Sequence, residues 1–175
     1  PAWAWIGVVP LATGLTGFFP ASGFLNGEAY GGWPRDTVRE VDIVSGCFLL
    51  IRRDLWQRLG GFDPTFFMYG EEADLCLRAR AFSARPTVTP QAGIIHHGGA
   101  SERTRAGKMV KLLAAKATLI ARHFTPPTRR LGLLLLAAWP LSRWLALSAA
   151  ARVTHKPSHA QAALTWGEIW ARRAE

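Results

Sequence analysis

The sequence predicts an α/β fold, and two strand-like segments separated by a well-marked helix carry that prediction. Residues 41–51 and 86–95 have the apolar and β-branched content that is typical of strands. Between them, the segment from Glu71 onward is rich in good helix formers, and neither Gly nor Pro occurs before Pro86. A chain of 175 residues is long enough to build a domain with its own core.

Residues 61–81 are the part of the chain around which the rest is organised, because they change from a turn into a helix. Gly-Gly at 60–61 and Asp-Pro at 63–64 break regular structure. In the helix, the apolar residues at positions 75, 76 and 79 follow Glu72 at helical spacing. Glu72 therefore heads the apolar face.

Three acidic residues, Glu71, Glu72 and Asp74, fall in the first turn of this helix. The positive end of the helix dipole stabilises negative charge there, and Asp74 can also pair with Arg78 one turn later. This structural explanation suits Glu71 and Asp74 better than Glu72. A carboxylate at the rim of a buried face must be paired, bound to a ligand or placed in a cleft. The residues alone leave a structural role and a catalytic role open.

Three blocks of the chain resemble family 2 glycosyltransferases, especially their rhamnosyltransferase-like branch. Residues 60–78, G-G-F-D-P-T-F-F-M-Y-G-E-E-A-D-L-C-L-R, are similar to the acceptor-side segment of that family. Residues 41–53, V-D-I-V-S-G-C-F-L-L-I-R-R, resemble the family's preceding strand, and residues 90–101, P-Q-A-G-I-I-H-H-G-G-A-S, resemble the run that follows. The blocks have the family's order and spacing.

This resemblance implies a partial GT-A-like fold, with a mixed sheet flanked by helices at residues 1–125 and a helical extension at residues 126–175. It places Glu72 in the position of the family's catalytic Asp, with Glu71 beside it and Asp74 orienting the acceptor or supporting the loop. Glu in place of Asp lengthens the reach by one methylene, for which the geometry has to compensate. The family's nucleotide-binding half and its Asp-x-Asp motif do not occur in this sequence, so we expect the chain to act only together with that half.

The resemblance also suggests binding residues. The turn at Ser45-Gly46 would border the acceptor pocket, and Trp33 would be a platform for a sugar ring or, alternatively, an anchor for its loop. Paired histidines before a glycine turn suit a metal or a phosphate. In the family, the first of these positions binds the divalent cation or the diphosphate, which implies His96 with His97 as the second choice.

A basic loop follows the histidines and carries Ser101, Arg103 and Arg105. It could close over the diphosphate of a donor, or it could simply be a solvated loop. Further towards the amino terminus, residues 6–9 predict a short strand and residues 13–34 a long loop.

The function that the resemblance implies is inverting transfer of a sugar from a nucleotide-diphosphate sugar to a hydroxyl of a saccharide or polyprenyl-linked acceptor, in cell-surface polysaccharide synthesis. Such a reaction needs a base for the acceptor hydroxyl and a cation, Mg²⁺ or Mn²⁺, for the departing diphosphate. One alternative is a non-catalytic remnant or subunit that binds the acceptor or a membrane. Another is a metal-dependent hydrolase that uses Glu72, Asp74, His96 and His97.

The net charge indicates which classes of partner the chain could bind, and the sequence around the two cysteines indicates whether they form a disulfide. The net charge of +9 favours a nucleotide diphosphate, a lipid phosphate or an anionic membrane surface. No motif supports binding to nucleic acid. Cys47 and Cys76 both lie in apolar surroundings, and we predict two buried thiols rather than a disulfide.

The sequence of the carboxyl-terminal third of the chain predicts a series of helices. Residues 109–124 have one apolar face, and Pro126-Pro127 ends that helix. Residues 131–151 are long enough to span a membrane, but an internal Pro and Arg favour a helix pair lying on the membrane face. Packing on the catalytic domain or another subunit is the third possibility. We expect a cytoplasmic protein held peripherally at the cytoplasmic membrane, with a short amphipathic helix at residues 157–175.

Overall fold

The computed structural model describes Tyr30, residues 32–97 and residues 104–175. The described chain divides into two compact units, one within residues 33–97 and the other within residues 104–175. Several sequence predictions fall outside the described residues, namely the strand at 6–9, most of the loop at 13–34, Ser101 and Arg103. The predicted domain boundary after residue 125 stays a prediction.

The first unit contains two helices and a small sheet. Their bounds are Arg39–Glu40 for β1, Arg53–Leu59 for α1, Glu71–Ala81 for α2 and Thr87–Val88 for β2. The two strands are antiparallel, with Arg39 opposite Val88 and Glu40 opposite Thr87. The N–H of Val41 adds one more bond to this pairing, to the carbonyl of Pro86 at 2.9 Å.

The strands are much shorter than the sequence predicts. No residue of the predicted strand at 41–51 is in a strand, and the backbone turns at 46–47 instead. Of the predicted strand at 86–95, only Thr87–Val88 forms. An apolar segment becomes a strand where a neighbouring strand takes up its backbone groups, and within the described residues β1 and β2 pair only briefly. An α/β organisation is compatible with this structure, and the mixed GT-A-like sheet stays a prediction.

Helix α1 has Arg52 at its N-cap position. Asp54 lies in the first turn, and its carboxylate accepts a hydrogen bond from Arg52 at 3.0 Å. At the other end, Gly60 adopts the left-handed conformation, with φ of 72°, and ends the helix, which agrees with the break in regular structure predicted at residues 60–61.

The prediction of two buried thiols is half right. Both cysteines are free, but Cys76 is buried on α2 whereas Cys47 is exposed at the 46–47 turn. Apolar sequence neighbours therefore did not secure burial for Cys47, which lies in a turn and not in the predicted strand.

The second unit consists of three helices, which are Arg105–His123 for α3, Pro126–Thr154 for α4 and Pro157–Ala171 for α5. Helix α3 begins four residues earlier than predicted, because the hydroxyl of Thr104 caps it by accepting the N–H of Gly107 at 3.1 Å. The core of the unit is entirely apolar and consists of Ala106, Leu113, Ile120, Phe124, Leu136 and Ile169.

Helix α4 corrects the prediction of a helix pair, because residues 131–151 lie within one helix that continues through Pro140. Gly132 allows it to approach α3 closely, since a Cβ there would lie 3.1 Å from Cγ2 of Ile120. Helix α5 packs on α4 through Trp139 and Trp166, whose ring centroids are 6.0 Å apart. The predicted carboxyl-terminal helix is confirmed.

Candidate functional site

Helix α2 starts from an unusual backbone turn. Tyr69 and Gly70 are both left-handed, with φ of 70° and 85°. The carbonyl of Gly70 then accepts the N–H of Asp74 at 2.9 Å and closes the first turn of the helix. Glu71 and Glu72 consequently stand at the amino end of α2, where free backbone N–H groups and the helix dipole favour negative charge.

Three polar side-chain atoms at this end of α2 are buried and have no hydrogen-bond partner among the described residues. They are the hydroxyl of Tyr69, Oε2 of Glu71 and Oε2 of Glu72, which together we call the amino-end cluster. Leaving such a group unpaired costs about 1–3 kcal/mol, and more when it is charged. Most buried polar atoms are therefore paired, and a group of exceptions calls for a functional explanation such as ligand binding.

The turn predicted to border the acceptor pocket lies directly on Glu72. A Cβ on Gly46 would be 3.4 Å from Cβ of Glu72 and 3.6 Å from its Cδ, which is ordinary van der Waals contact. One helical turn further, the backbone N–H of Val44 interacts with the thiol of Cys76. The structure thus brings the Ser45-Gly46 turn beside the predicted base.

The negative charge of Glu72 affects the pKa of the Cys76 thiol. Burial raises the pKa of the Cys76 thiol above its ordinary value, the N–H of Val44 opposes this increase, and the negative charge of Glu72 adds to it. The thiol is therefore protonated near neutral pH. The carboxylate of Glu72 therefore lies close enough to the thiol to contribute to its raised pKa.

Asp74 has a different environment from the two glutamates. Its side chain is fully buried, and Oδ2 accepts a hydrogen bond from Nε of Arg78 at 2.6 Å. The same guanidinium donates to the carbonyls of Leu59 at 2.7 Å and Gly61 at 2.8 Å. Arg78 thus ties α2 to the end of α1. This geometry favours the loop-supporting role among the two that the sequence left open for Asp74.

The two histidines are exposed at the end of the segment that follows β2. Among the residues that the structure describes, no three His, Cys, Asp or Glu side chains are grouped so that they could hold a metal ion. His96 and His97 therefore do not form a metal site with the amino-end cluster in this part of the chain. The divalent cation stays a prediction.

Trp33 and Arg105, two further predicted binding residues, are not part of the amino-end cluster. The indole N–H of Trp33 donates to the hydroxyl of Thr37 at 3.1 Å, and the guanidinium of Arg39 lies 5.2 Å from the ring centroid. Because Arg39 already covers one ring face, this geometry favours the anchoring role over the sugar platform. Arg105 is exposed at the first position of α3, in the other compact unit.

Sequence reasoning missed two features of this site. Tyr69 belongs to the amino-end cluster through its buried hydroxyl, and no local pattern in the sequence marks it. The bonds from Arg78 to the carbonyls of Leu59 and Gly61 span 19 and 17 residues, and no local pattern announces them.

Comparison with known proteins gives partial matches, and two of these relatives are rhamnosyltransferases. The chain is 35% identical over 97 residues to the rhamnosyltransferase WbbL of Escherichia coli (strain K12), covering 51% of this chain and 36% of that protein. It is 39% identical over 59 residues to the N-acetylglucosaminyl-diphospho-decaprenol L-rhamnosyltransferase of Mycobacterium tuberculosis, covering 34% and 19% of the two chains.

A third relative is the O-antigen biosynthesis protein RfbC of Myxococcus xanthus, 39% identical over 66 residues that cover 38% of this chain and 5% of that protein. The chain thus spans between 5% and 36% of the length of these relatives. No family model matches the chain. No solved structure matches it significantly. The partial similarities support a glycosyltransferase-like family for this chain.

Proposed function

We propose that this chain carries the acceptor-side part of an inverting glycosyltransferase of the rhamnosyltransferase-like kind. The full enzyme would transfer a sugar from a nucleotide-diphosphate sugar to a hydroxyl of a saccharide or lipid-linked acceptor. The observation that carries this proposal is the buried Oε2 of Glu72, which has no hydrogen-bond partner among the described residues and lies at the amino end of α2, next to the turn at Gly46.

Glu72 is the proposed general base. Its Oε2 takes the proton of the acceptor hydroxyl while the acceptor oxygen forms a bond to the anomeric carbon. The bond from that carbon to the donor diphosphate breaks at the same time, and its electron pair leaves with the diphosphate. The proton stays on Glu72 until it is lost to solvent.

The neighbours of Glu72 position the acceptor and the helix. The Tyr69 hydroxyl and Oε2 of Glu71 have unused hydrogen-bonding capacity, which sugar hydroxyls can satisfy. The ion pair of Asp74 with Arg78 holds α2 against the end of α1. A base held this firmly retains its geometry towards the reacting hydroxyl, and misplacement by about 1 Å can reduce the rate about 100-fold.

The donor side is assigned to residues beyond the amino-end cluster. A divalent cation would stabilise the negative charge of the departing diphosphate. The described residues do not form a metal group, so no step above depends on the cation. We propose that the donor and its cation are bound by a nucleotide-binding half of the enzyme, with His96 as a contributing candidate. The roles of Arg103 and Arg105 at the donor stay predictions.

The test replaces Glu72 by Gln in a protein that joins this chain to a nucleotide-binding half. Gln keeps the shape of the side chain but cannot accept the proton, so kcat should fall by about 10²–10⁴-fold. Asp54→Asn is the matched control, because Asp54 is also an acidic residue in a first helical turn but is exposed and paired with Arg52. Unchanged turnover of Glu72→Gln would sink the proposal.

A further inference from the structure

Helix α4 has two apolar sides, and the described residues bury only one of them. The covered side includes Gly132, Leu136 and Pro140, all of which are buried. The opposite side carries large apolar side chains that are about half or more exposed, namely Leu131, Leu134, Leu145 and Val153. Because about half or more of each of these side chains lies outside the core, their apolar character needs another explanation.

The exposed residues belong to a continuous pattern. Positions 127, 131, 134, 138, 141, 145, 149 and 153 recur three or four residues apart and so share one side of the helix. Every one of them is Pro, Leu, Ala or Val. We call these eight positions the outer stripe. At the helical rise per residue, the stripe is about 40 Å long. Six of the eight positions are exposed, and Ala138 and Leu141 in the middle are half-buried. Monomeric soluble proteins rarely expose large apolar patches.

Charge identifies the partner. Helix α4 contains four arginines and no acidic residue, and residues 104–175 contain twelve Lys and Arg against two Glu. Arg130 and Arg152 are exposed near the two ends of the outer stripe, and Lys156 follows. The complementary surface is apolar in its interior and negative at its edge, which describes a bilayer with anionic phospholipids. A second copy of this basic unit would instead bring like charges together.

The packing also shows how α4 would meet a membrane. By length and composition it could cross one. However, α3 lies against Gly132 on its covered side, and α3 exposes Lys108, Lys111 and Arg122. A spanning α4 would carry these charges into hydrocarbon, where each is unfavourable. A helix with one apolar face and one protein-covered face fits the interface instead.

We propose that α4 lies flat in the interface of a membrane that contains anionic lipids. The outer stripe enters the acyl region, and Arg130 and Arg152 bind lipid phosphates at its ends. This inference does not depend on the reaction proposed above, since it uses only the helical unit.

The experiment measures flotation of the purified chain with vesicles of phosphatidylglycerol and phosphatidylcholine in equal parts. The unsubstituted chain should bind these vesicles, and it should bind pure phosphatidylcholine vesicles more weakly. The double variant Leu134→Glu/Leu145→Glu should lose affinity about tenfold or more, because two leucines that would enter the acyl region become charged. Circular dichroism checks that its helices remain. Leu50→Glu is the matched control, because Leu50 is 92% exposed and lies in the other unit, and it should bind like the unsubstituted chain.

Two results would overturn the proposal directly, namely absence of binding by the unsubstituted chain and equal binding by the double variant. Resistance of the bound chain to alkaline carbonate extraction would also contradict it, because it would indicate a spanning helix. A double variant that changes the oligomeric state in sedimentation but not the affinity for vesicles would make the outer stripe a protein interface instead.

Discussion

The two compact units of this chain differ in how they use charge. Residues 33–97 contain eight basic and eight acidic residues, and one ion pair, Asp74 with Arg78, is built into the interior. Residues 104–175 contain twelve basic residues against two acidic ones, around a core that is entirely apolar. In the first unit an ion pair therefore fixes local geometry, whereas the second unit carries a large excess of positive charge outside its core.

Backbone conformation differs in the same way. Within residues 104–175 only His155 is left-handed, whereas in the first unit Gly60 and Gly61 follow α1, and Tyr69 and Gly70 directly precede α2. Uncommon backbone conformations persist where the surrounding structure enforces them, and they often accompany functional sites. This difference agrees with the proposals that the first unit carries the chemistry and that the second binds a membrane.

The largest effect on stability should come from removing the buried guanidinium. Arg78→Met leaves the fully buried Asp74 carboxylate, and the carbonyls of Leu59 and Gly61, without this donor, and we expect a loss of about 3–5 kcal/mol. Urea unfolding measures it. Arg130→Met removes a charge from the helical unit, where Arg130 is exposed, and should change stability by less than about 0.5 kcal/mol. Equal losses in both variants would remove the distinction between the units.

A smaller effect should come from the turn after α1. Gly60 and Gly61 are both left-handed, so Ala at either position costs about 1–2 kcal/mol. At Gly61 a Cβ would also lie 2.9 Å from Cζ2 of Trp56, whereas nothing lies within 4 Å at Gly60. Gly61→Ala should therefore be about 1–3 kcal/mol more destabilising than Gly60→Ala in thermal unfolding. A reversed order would show that Trp56 is not packed against this turn.

The smallest effect concerns the thiol beside Glu72. Since burial, with the charge of Glu72, raises the pKa of Cys76, iodoacetamide at pH 8 should alkylate the exposed Cys47 first. Glu72→Gln removes the charge, lowers the pKa of Cys76 and should speed its alkylation a few-fold. Mass spectrometry after timed quenching separates the two sites. An unchanged rate at Cys76 would place the Glu72 carboxylate away from the thiol.

The same pKa shift sets a pH dependence of stability. The folded thiol has a higher pKa than the unfolded one, so its contribution is fully present below the unfolded pKa. It is lost as the pH rises through the folded pKa. Stability of the first unit should therefore fall at alkaline pH, and less so in Cys76→Ala.

What the sequence predicted well was local. The helix formers from Glu71 onward mark the start of α2, and Pro126 marks the break between α3 and α4. The pairing of Asp74 with Arg78 also follows from helical spacing alone. These features depend on residues a few positions apart, which is why periodicity and capping patterns find them.

What the sequence predicted poorly depends on distant partners. The segment at 41–51 has strand-like composition, but a strand forms only where a neighbouring strand pairs with it. Within the described residues, the pairing with the segment at 86–88 reaches no further than Val41. The burial of Cys76 and the exposure of Cys47 likewise depend on which segment packs where. For the same reason the contact of Gly46 with Glu72 emerges only in the structure.

The central claim is that Glu72 performs chemistry that the rest of the molecule only supports. The most direct test measures sugar transfer and vesicle binding side by side for Glu72→Gln, in a protein that also contains a nucleotide-binding half. The account predicts that transfer falls by about 10²–10⁴-fold while vesicle binding is unchanged. Transfer at the unsubstituted rate would contradict it.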